Sequence, residues 1–335
     1  MAKKNEMNEN IITVGVDDGF AATDVVVMEG GAITKTMMIQ SRARSGIHGT
    51  SVIGEAEDDQ PVPCYETDGV KFTVGALSDA ESARFDDYPF SPMNRTIVNH
   101  ALRLVGLGGK KLRIATGLPL SVYYQGSDPN AEVIARKDRS IMTPVACIDG
   151  SAMPLIVEHK VFPEGLSAWV DYALGDDGRL RADPNESVGV IDIGGRTTDV
   201  AVVLPGRRID HARCGSADIG VLNVVEQVRV ALLKRFNVEM SGSQIELGLK
   251  TRSIKMWGKV LDIGTEIDEA VAQVTDGVLR EVSRRLGQAV DLDRVLLVGG
   301  GAHLFRDVEK RYPHVVVPEH PEYANARGFA KYLNL

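Results

Sequence analysis

Two short stretches of this sequence carry residue types that could hold phosphate groups and the metal ion that travels with them. Asp17-Asp18-Gly19-Phe20-Ala21-Ala22-Thr23-Asp24-Val25 and Asp192-Ile193-Gly194-Gly195-Arg196-Thr197-Thr198-Asp199-Val200 share Asp, Gly, Thr, Asp and Val in register, without a gap. A glycine turn after a strand lets the backbone approach closely and aim several N–H groups at phosphate oxygens. An aspartate at the strand's end can hold a hydrated Mg²⁺, because that ion keeps most of its waters and takes few protein carboxylates. Asp-x-Gly alone is an ordinary turn sequence. The same nine-residue turn twice, with two acids and a glycine in register, is better explained by duplication. Two such hairpins facing each other would clamp a polyphosphate and its metal between two domains.

A third element is Val295 to Val298, an apolar strand that runs into Gly299, Gly300 and Gly301. A turn without side chains lets a flat base or a phosphate lie against bare backbone, although close packing uses such turns as well. The chain has neither the Gly-x-Gly-x-x-Gly spacing of a dinucleotide site nor the Lys-Ser/Thr of a P-loop. His303 follows this turn and reads as a packed or surface histidine rather than an acid–base group.

The elements that must position these residues follow from the hydrophobic pattern. Ile11 to Val16 and Val25 to Met28 read as two strands of a hairpin, and Val188 to Ile193 with Val200 to Leu204 repeats it. Arg42 to Arg95 is loop-rich and could house an inserted subdomain. Asn99 to Val105 reads as helix and Leu112 to Gly117 as a buried strand. Pro163 is expected to open a helix through Leu166, Trp169, Val170 and Leu174. Asp218 is placed as the cap of a helix whose apolar positions are Val221, Val225, Val228 and Leu232, and Ile267, Val271, Val274, Val278 and Val282 lie on one face of another. Strands alternating with helices indicate α/β architecture. The polar linker Asp176 to Glu186 sets the expected division: 1–175 and 176–320, with a terminal helix within 321–335 packing back on the first domain.

At 335 residues the chain can bury two cores. A formal charge of −8 argues against a direct grip on nucleic acid or anionic lipid. Three cysteines without a CxxC pair indicate a reducing compartment, with neither disulfide framework nor zinc site. Met1 to Asn10 is polar and is expected to be a disordered lead, with no signal peptide or membrane span after it. The expected location is cytoplasmic.

With these blocks in order, the chain resembles the actin, sugar kinase and heat-shock ATPase superfamily, and within it the ParM (StbA) family of plasmid-segregation actin-like ATPases. Val16 to Gly19 resembles the first phosphate motif, Ile191 to Asp199 the second, and Val298 to Ala302 the adenosine motif. Thr116 to Tyr124, Phe162-Pro163-Glu164 and Asn325 to Phe329 resemble the ParM family in particular. The resemblance implies an actin-like (ribonuclease H-like) duplicated two-domain fold with a nucleotide cleft between the domains. It implies ATP, with GTP left open, and Mg²⁺ held by Asp17 and Asp192 through water. Glu164 and Asp192 would be catalytic, Glu164 orienting the attacking water. Asp17, Asp18, Gly19, Phe20, Gly194, Gly195, Arg196, Thr197, Asp218, Gly299, Gly300 and Gly301 would surround the nucleotide.

Asp24 departs from the pattern, since several relatives place a phosphate-neutralising lysine there, and Phe20 replaces a small polar residue. The implied partners are further copies of the chain, in a dynamic filament, and a DNA-binding adaptor of the ParR type that links it to plasmid centromere DNA. Another bacterial actin such as MreB would call for a membrane-seeking N-terminus, and a small-molecule kinase for a sugar-binding acid. Neither is found.

Overall fold

The computed structural model describes residues 11–48, 62–75 and 81–335; the polar lead, Met1 to Asn10, lies outside them. Two sheets of matching strand order form its frame. In the first, β1 (Ile12–Asp18), β2 (Ala22–Glu29) and β3 (Ala32–Gln40) form an antiparallel meander, and β4 (Lys111–Leu118) and β5 (Leu155–Pro163) extend it in parallel on the other side of β1, giving the order β5-β4-β1-β2-β3. In the second, β6 (Val188–Ile193) and β7 (Thr198–Leu204) repeat the hairpin, and β8 (Arg294–Val298) and β9 (Val315–Val316) add in parallel on the other side of β6. Asp17 pairs across its hairpin with Asp24, and Asp192 with Asp199, so the repeat in sequence is a repeat in register.

Side chains on a strand alternate between faces, and the two faces of β6 enter different cores. Val188 and Val190 pack with Leu120, Leu166 and Ala168 of the first half, which pins the halves together at their base. Ile191 and Ile193 face a larger core built with α4 (Val221–Phe236) and α6 (Gly264–Leu286). Those helices bury Val225, Val228 and Leu232, and Ile267, Val274, Val278 and Val282, the faces expected from spacing. Between them, α5 (Gly242–Thr251) leads into a hairpin of 253–256 and 259–262.

The first half carries α1 (Pro92–Leu102), α2 (Ala131–Met142) and α3 (Leu166–Ala173) together with a single helical turn at Leu120–Tyr123, and α7 (Ala324–Leu333) returns to it. That return is close, because a Cβ on Gly15 would meet the Ala326 carbonyl at 1.9 Å and one on Gly328 would meet the Ser167 carbonyl at 1.8 Å.

Three expectations change. The loop-rich region holds an antiparallel sheet of 146–147, 64–67, 70–74, 42–45 and 81–82, although 49–61 and 76–80 lie outside the described residues. The helix expected from Asn99 starts at Pro92, capped by the Ser91 hydroxyl, which accepts from the Asn94 amide at 3.1 Å. Pro163 ends β5 rather than opening a helix; β5 is an edge strand, where a missing N–H is tolerated. The helix begins at Leu166 after Gly165, whose φ of 72° makes the corner.

Candidate active site

The two hairpin turns touch. A Cβ on Gly195 would meet that of Ala21 at 2.5 Å, so only glycine lets the turns close on one another. Under this contact lies a cavity of about 580 Å³ between the halves, within the usual range for a small-molecule site. Of the residues singled out from the sequence, Asp17, Asp18, Gly19, Phe20, Glu164, Asp192, Gly194, Gly195, Arg196, Thr197, Gly299 and Gly300 line it.

Asp17 and Asp192 end the central strands of the two sheets, and one side chain joins them. The Asn325 amide, at the start of α7, donates to Asp192 Oδ2 at 2.7 Å and to Asp17 Oδ2 at 3.2 Å. Its carbonyl accepts from the Gly165 N–H at 3.0 Å, next to Glu164. The Glu164 amide donates to the Leu118 carbonyl at 2.9 Å, and its side chain lies against Gly117, where a Cβ would come within 2.9 Å of it. Asn325 sits in a block already noted as resembling the ParM family, but no local pattern marks it as a link between the hairpins.

The carboxylates crowd one another. Burial, then the charges of Asp17 and Asp199, push Asp192 up to about 8. Burial raises Asp17 to about 7 against the Asn325 hydrogen bond, which holds it down. Glu164 is pushed well above the usual carboxylate range by burial and then by Asp17, Asp199 and Asp192. Desolvation disfavours the charged form and each neighbouring anion adds to it; a cation would relieve both. All-oxygen donors on facing hairpins suit a hard ion such as Mg²⁺. Among the described residues no three His, Cys, Asp or Glu side chains form a metal cage. Such an ion would therefore take one or two carboxylates, directly or through water.

Other residues take roles that the sequence does not disclose. Asp18 is neutralised from behind by Lys137 of α2, a fully buried ammonium that also donates to the Pro89 carbonyl at 2.8 Å and to Asn94 Oδ1 at 3.1 Å. Asp199 accepts from the Leu120 amide at 2.8 Å and from the Ser216 hydroxyl, tying the second hairpin to the first half. Asp24 does not point away: it lines the cavity, and its buried Oδ1 has no hydrogen-bond partner. Phe20 lies between the Tyr88 ring, at 5.5 Å, and the Arg196 guanidinium, at 5.1 Å.

Two residues singled out from the sequence fall outside the cavity lining. Asp218 is held by Arg196 Nε at 2.8 Å, and the same guanidinium reaches Asp86 of the other half at 2.6 Å. Asp218 is not the cap of α4 either, because that place belongs to Gly220. A Cβ on Gly220 would strike the Gly194 and Gly195 carbonyls at 2.6 and 2.7 Å, which explains why a glycine stands there. Those carbonyls accept from the Val221 and Leu222 amides, so these α4 donors hold the second turn in place. Gly301 packs beneath the site, its amide donating to the Ile193 carbonyl at 2.8 Å. Gly300 has nothing within 4 Å of a notional Cβ, and Gly299, at φ 86°, lies directly against Asp192.

Comparison with known proteins bears on the fold and the family. The family profile described as plasmid segregation protein ParM, N-terminal, matches residues 12–173. That of the archaeal actin homologue MreB-like, C-terminal, matches residues 190–310. No curated protein sequence matches the chain. Among solved structures, Ta0583, an archaeal actin homologue in complex with ADP, superposes with a TM-score of 0.75 at 20% identity, over 97% of this chain and 99% of that one. The pCBH ParM non-polymerisable quadruple mutant gives 0.76 at 18% identity, over 97% and 99%. A 15-stranded ParM filament from Clostridium botulinum gives 0.72 at 18% identity, over 96% and 99%. The fold is actin-like over nearly the whole chain, and the two halves match the profiles of two actin homologues, ParM and the archaeal MreB-like protein, so the chain is similar to the ParM-like actins.

Proposed function

We propose that this chain is a Mg²⁺-dependent ATPase that assembles into filaments on binding nucleotide and disassembles after hydrolysis. The observation that carries the reading is the meeting of Asp17 and Asp192, one from each hairpin, on the single Asn325 amide in a cavity that also receives Glu164. The ADP complex of Ta0583 and the ParM filament support nucleotide binding and self-assembly.

Bound Mg²⁺ would neutralise phosphate charge, held by Asp17 and Asp192 through water. The turn amides around Gly19 and Gly194 to Thr197 cradle the phosphates, and the bare backbone at Gly299 and Gly300 faces the nucleoside. Glu164 holds the attacking water in line with the γ-phosphorus; positioning and electrostatics carry most of such a reaction. GTP is the alternative nucleotide. In the cell the filament would move plasmid DNA through an adaptor of the ParR type, consistent with a chain too acidic to grip DNA broadly itself.

Light scattering and phosphate release after addition of ATP and Mg²⁺ to the purified protein test this reading. A rise in scattering that later decays is expected. Glu164→Ala is expected to slow phosphate release about 10²-fold while leaving assembly largely intact, and Asp192→Ala to slow it further. Parental hydrolysis in both variants would overturn the site assignment, and turnover that requires an added sugar would make the protein a kinase.

A further inference from the structure

The hairpin after α5 has a feature that its own folding does not explain. Met256 pairs with Lys259 across a two-residue turn, Trp257-Gly258, with φ of 50° and 76°. Positive φ at both positions is the geometry that Asn-Gly adopts readily. A bulky aromatic in the first position is an outlier, because its Cβ crowds the backbone in the left-handed region. The ring gains no burial in return, since Trp257 is 72% exposed. Ile254 and Met256 point into the core, whereas Val260, opposite Lys255, points outward and is also 72% exposed. A solvent-facing strand face is ordinarily polar.

The charge pattern is equally one-sided. Residues 247–261 contain Lys250, Arg252, Lys255 and Lys259 and no acid, in a chain of net charge −8. Arg252 is occupied by Asp268, while Lys255 and Lys259 stand exposed beside the apolar tip.

We propose that the Trp257 tip is an assembly contact, docking onto an acidic surface of a second copy of this chain. Two such tips repel one another, so the contact cannot be the same patch on both subunits. It joins two different surfaces, and a heterologous contact that does not close into a ring propagates as a filament. The inference rests on the filament reading above and supplies one half of its interface. The exposed indole is the anchor, as at other interfaces, and the flanking lysines set orientation and speed encounter.

Trp257→Asn tests it, because Asn-Gly is a better turn. The variant is expected to unfold at the parental temperature or above, to release phosphate at the parental rate when monomeric, and to raise the critical concentration for ATP-driven assembly at least about tenfold. Lys255→Glu with Lys259→Glu is expected to do the same. In a Trp169→Phe background, assembly is expected to shift the Trp257 emission to shorter wavelength. Parental assembly by Trp257→Asn would overturn the proposal while leaving the filament reading intact. Wild-type protein that stays monomeric with ATP and Mg²⁺ would overturn the filament reading itself. Tip-dependent binding of the wild type to phosphatidylserine vesicles or duplex DNA, with assembly unchanged in the variant, would assign the tip to that partner instead.

Discussion

Asn325 contributes one amide to three backbone or side-chain partners, and each arm has a separate consequence. Its NH₂ group lowers the repulsion between Asp17 and Asp192, and its carbonyl fixes the loop that carries Glu164. Asn325→Ala leaves the Gly165 amide unpaired, a loss of about 1–3 kcal/mol. Asn325→Asp is expected to be worse for activity, because it adds an anion between two others. Phosphate release by Asn325→Asp should need several-fold more Mg²⁺ than the parent, whereas Asn325→Ala should show mainly a lowered maximal rate; equal Mg²⁺ dependence in all three proteins would refute this role. The acids at the hairpin turns were legible because the repeat aligns Asp17 and Asp24 with Asp192 and Asp199. Asn325 and Lys137 were not, since their partners are 133 and 119 residues away and no local pattern records such a meeting.

A second effect at this scale concerns pH. His100, buried against the Tyr65 hydroxyl at 2.7 Å, is pushed down to about 4 by burial and then by Arg103. The unfolded chain binds that proton near pH 6.5 and the folded chain only near 4, so the His100 contribution to stability falls as pH drops through this window, opposite in sign to that of the raised Asp17 and Asp192. Between pH 7 and 5 the loss is about 2 kcal/mol. The urea midpoint of the parent, measured relative to that of His100→Gln, should therefore be lower at pH 5 than at pH 7; an unchanged difference would refute the His100 effect.

At the scale of elements, β3 and the strand 42–45 meet α5 across the mouth of the cavity. Arg42 pairs with Glu246, and Gln40 donates to the other Glu246 oxygen at 2.9 Å. Both ionic side chains are largely buried, so removing one partner leaves the other charge uncompensated. Glu246→Gln is therefore expected to loosen the mouth and accelerate release of a fluorescent nucleotide severalfold in stopped flow. Arg42→Met combined with Glu246→Leu restores an uncharged contact and should recover part of the slow release. Long periodic helices and buried strands could be read from spacing, α4 and α6 most clearly. Pro163 misled because proline opens helices and also ends edge strands, and sequence does not tell which strand will be the edge. The small sheet around 64–74 was hidden by its strands of two to five residues, too short to show an alternating pattern.

For the whole molecule, the duplicated sheets are joined at the base by a shared core and at the cleft by α7, which comes from the end of the chain and delivers Asn325 to both hairpins. Glycines at two kinds of place should therefore fail differently. At Gly328 a Cβ would sit 1.8 Å from the Ser167 carbonyl, and backbone on both sides prevents adjustment. Gly328→Ala is expected to destabilise the chain by 3 kcal/mol or more, an order-of-magnitude figure for overpacking between fixed elements, about the upper end of that range. It should also lower hydrolysis, because α7 can no longer seat Asn325. At Gly300 an added methyl meets nothing within 4 Å, so Gly300→Ala should leave thermal unfolding of the nucleotide-free protein unchanged. The same methyl stands in the cavity beside Gly299 and should weaken nucleotide binding by about tenfold, the effect of roughly 1.4 kcal/mol. Melting curves with and without ADP separate the two cases: Gly328→Ala should melt early in both, and Gly300→Ala should lose only the increment that ADP adds. If Gly300→Ala kept that full increment, the nucleoside would not lie against the Gly299–Gly300 backbone, and that part of the proposed site would have to be moved.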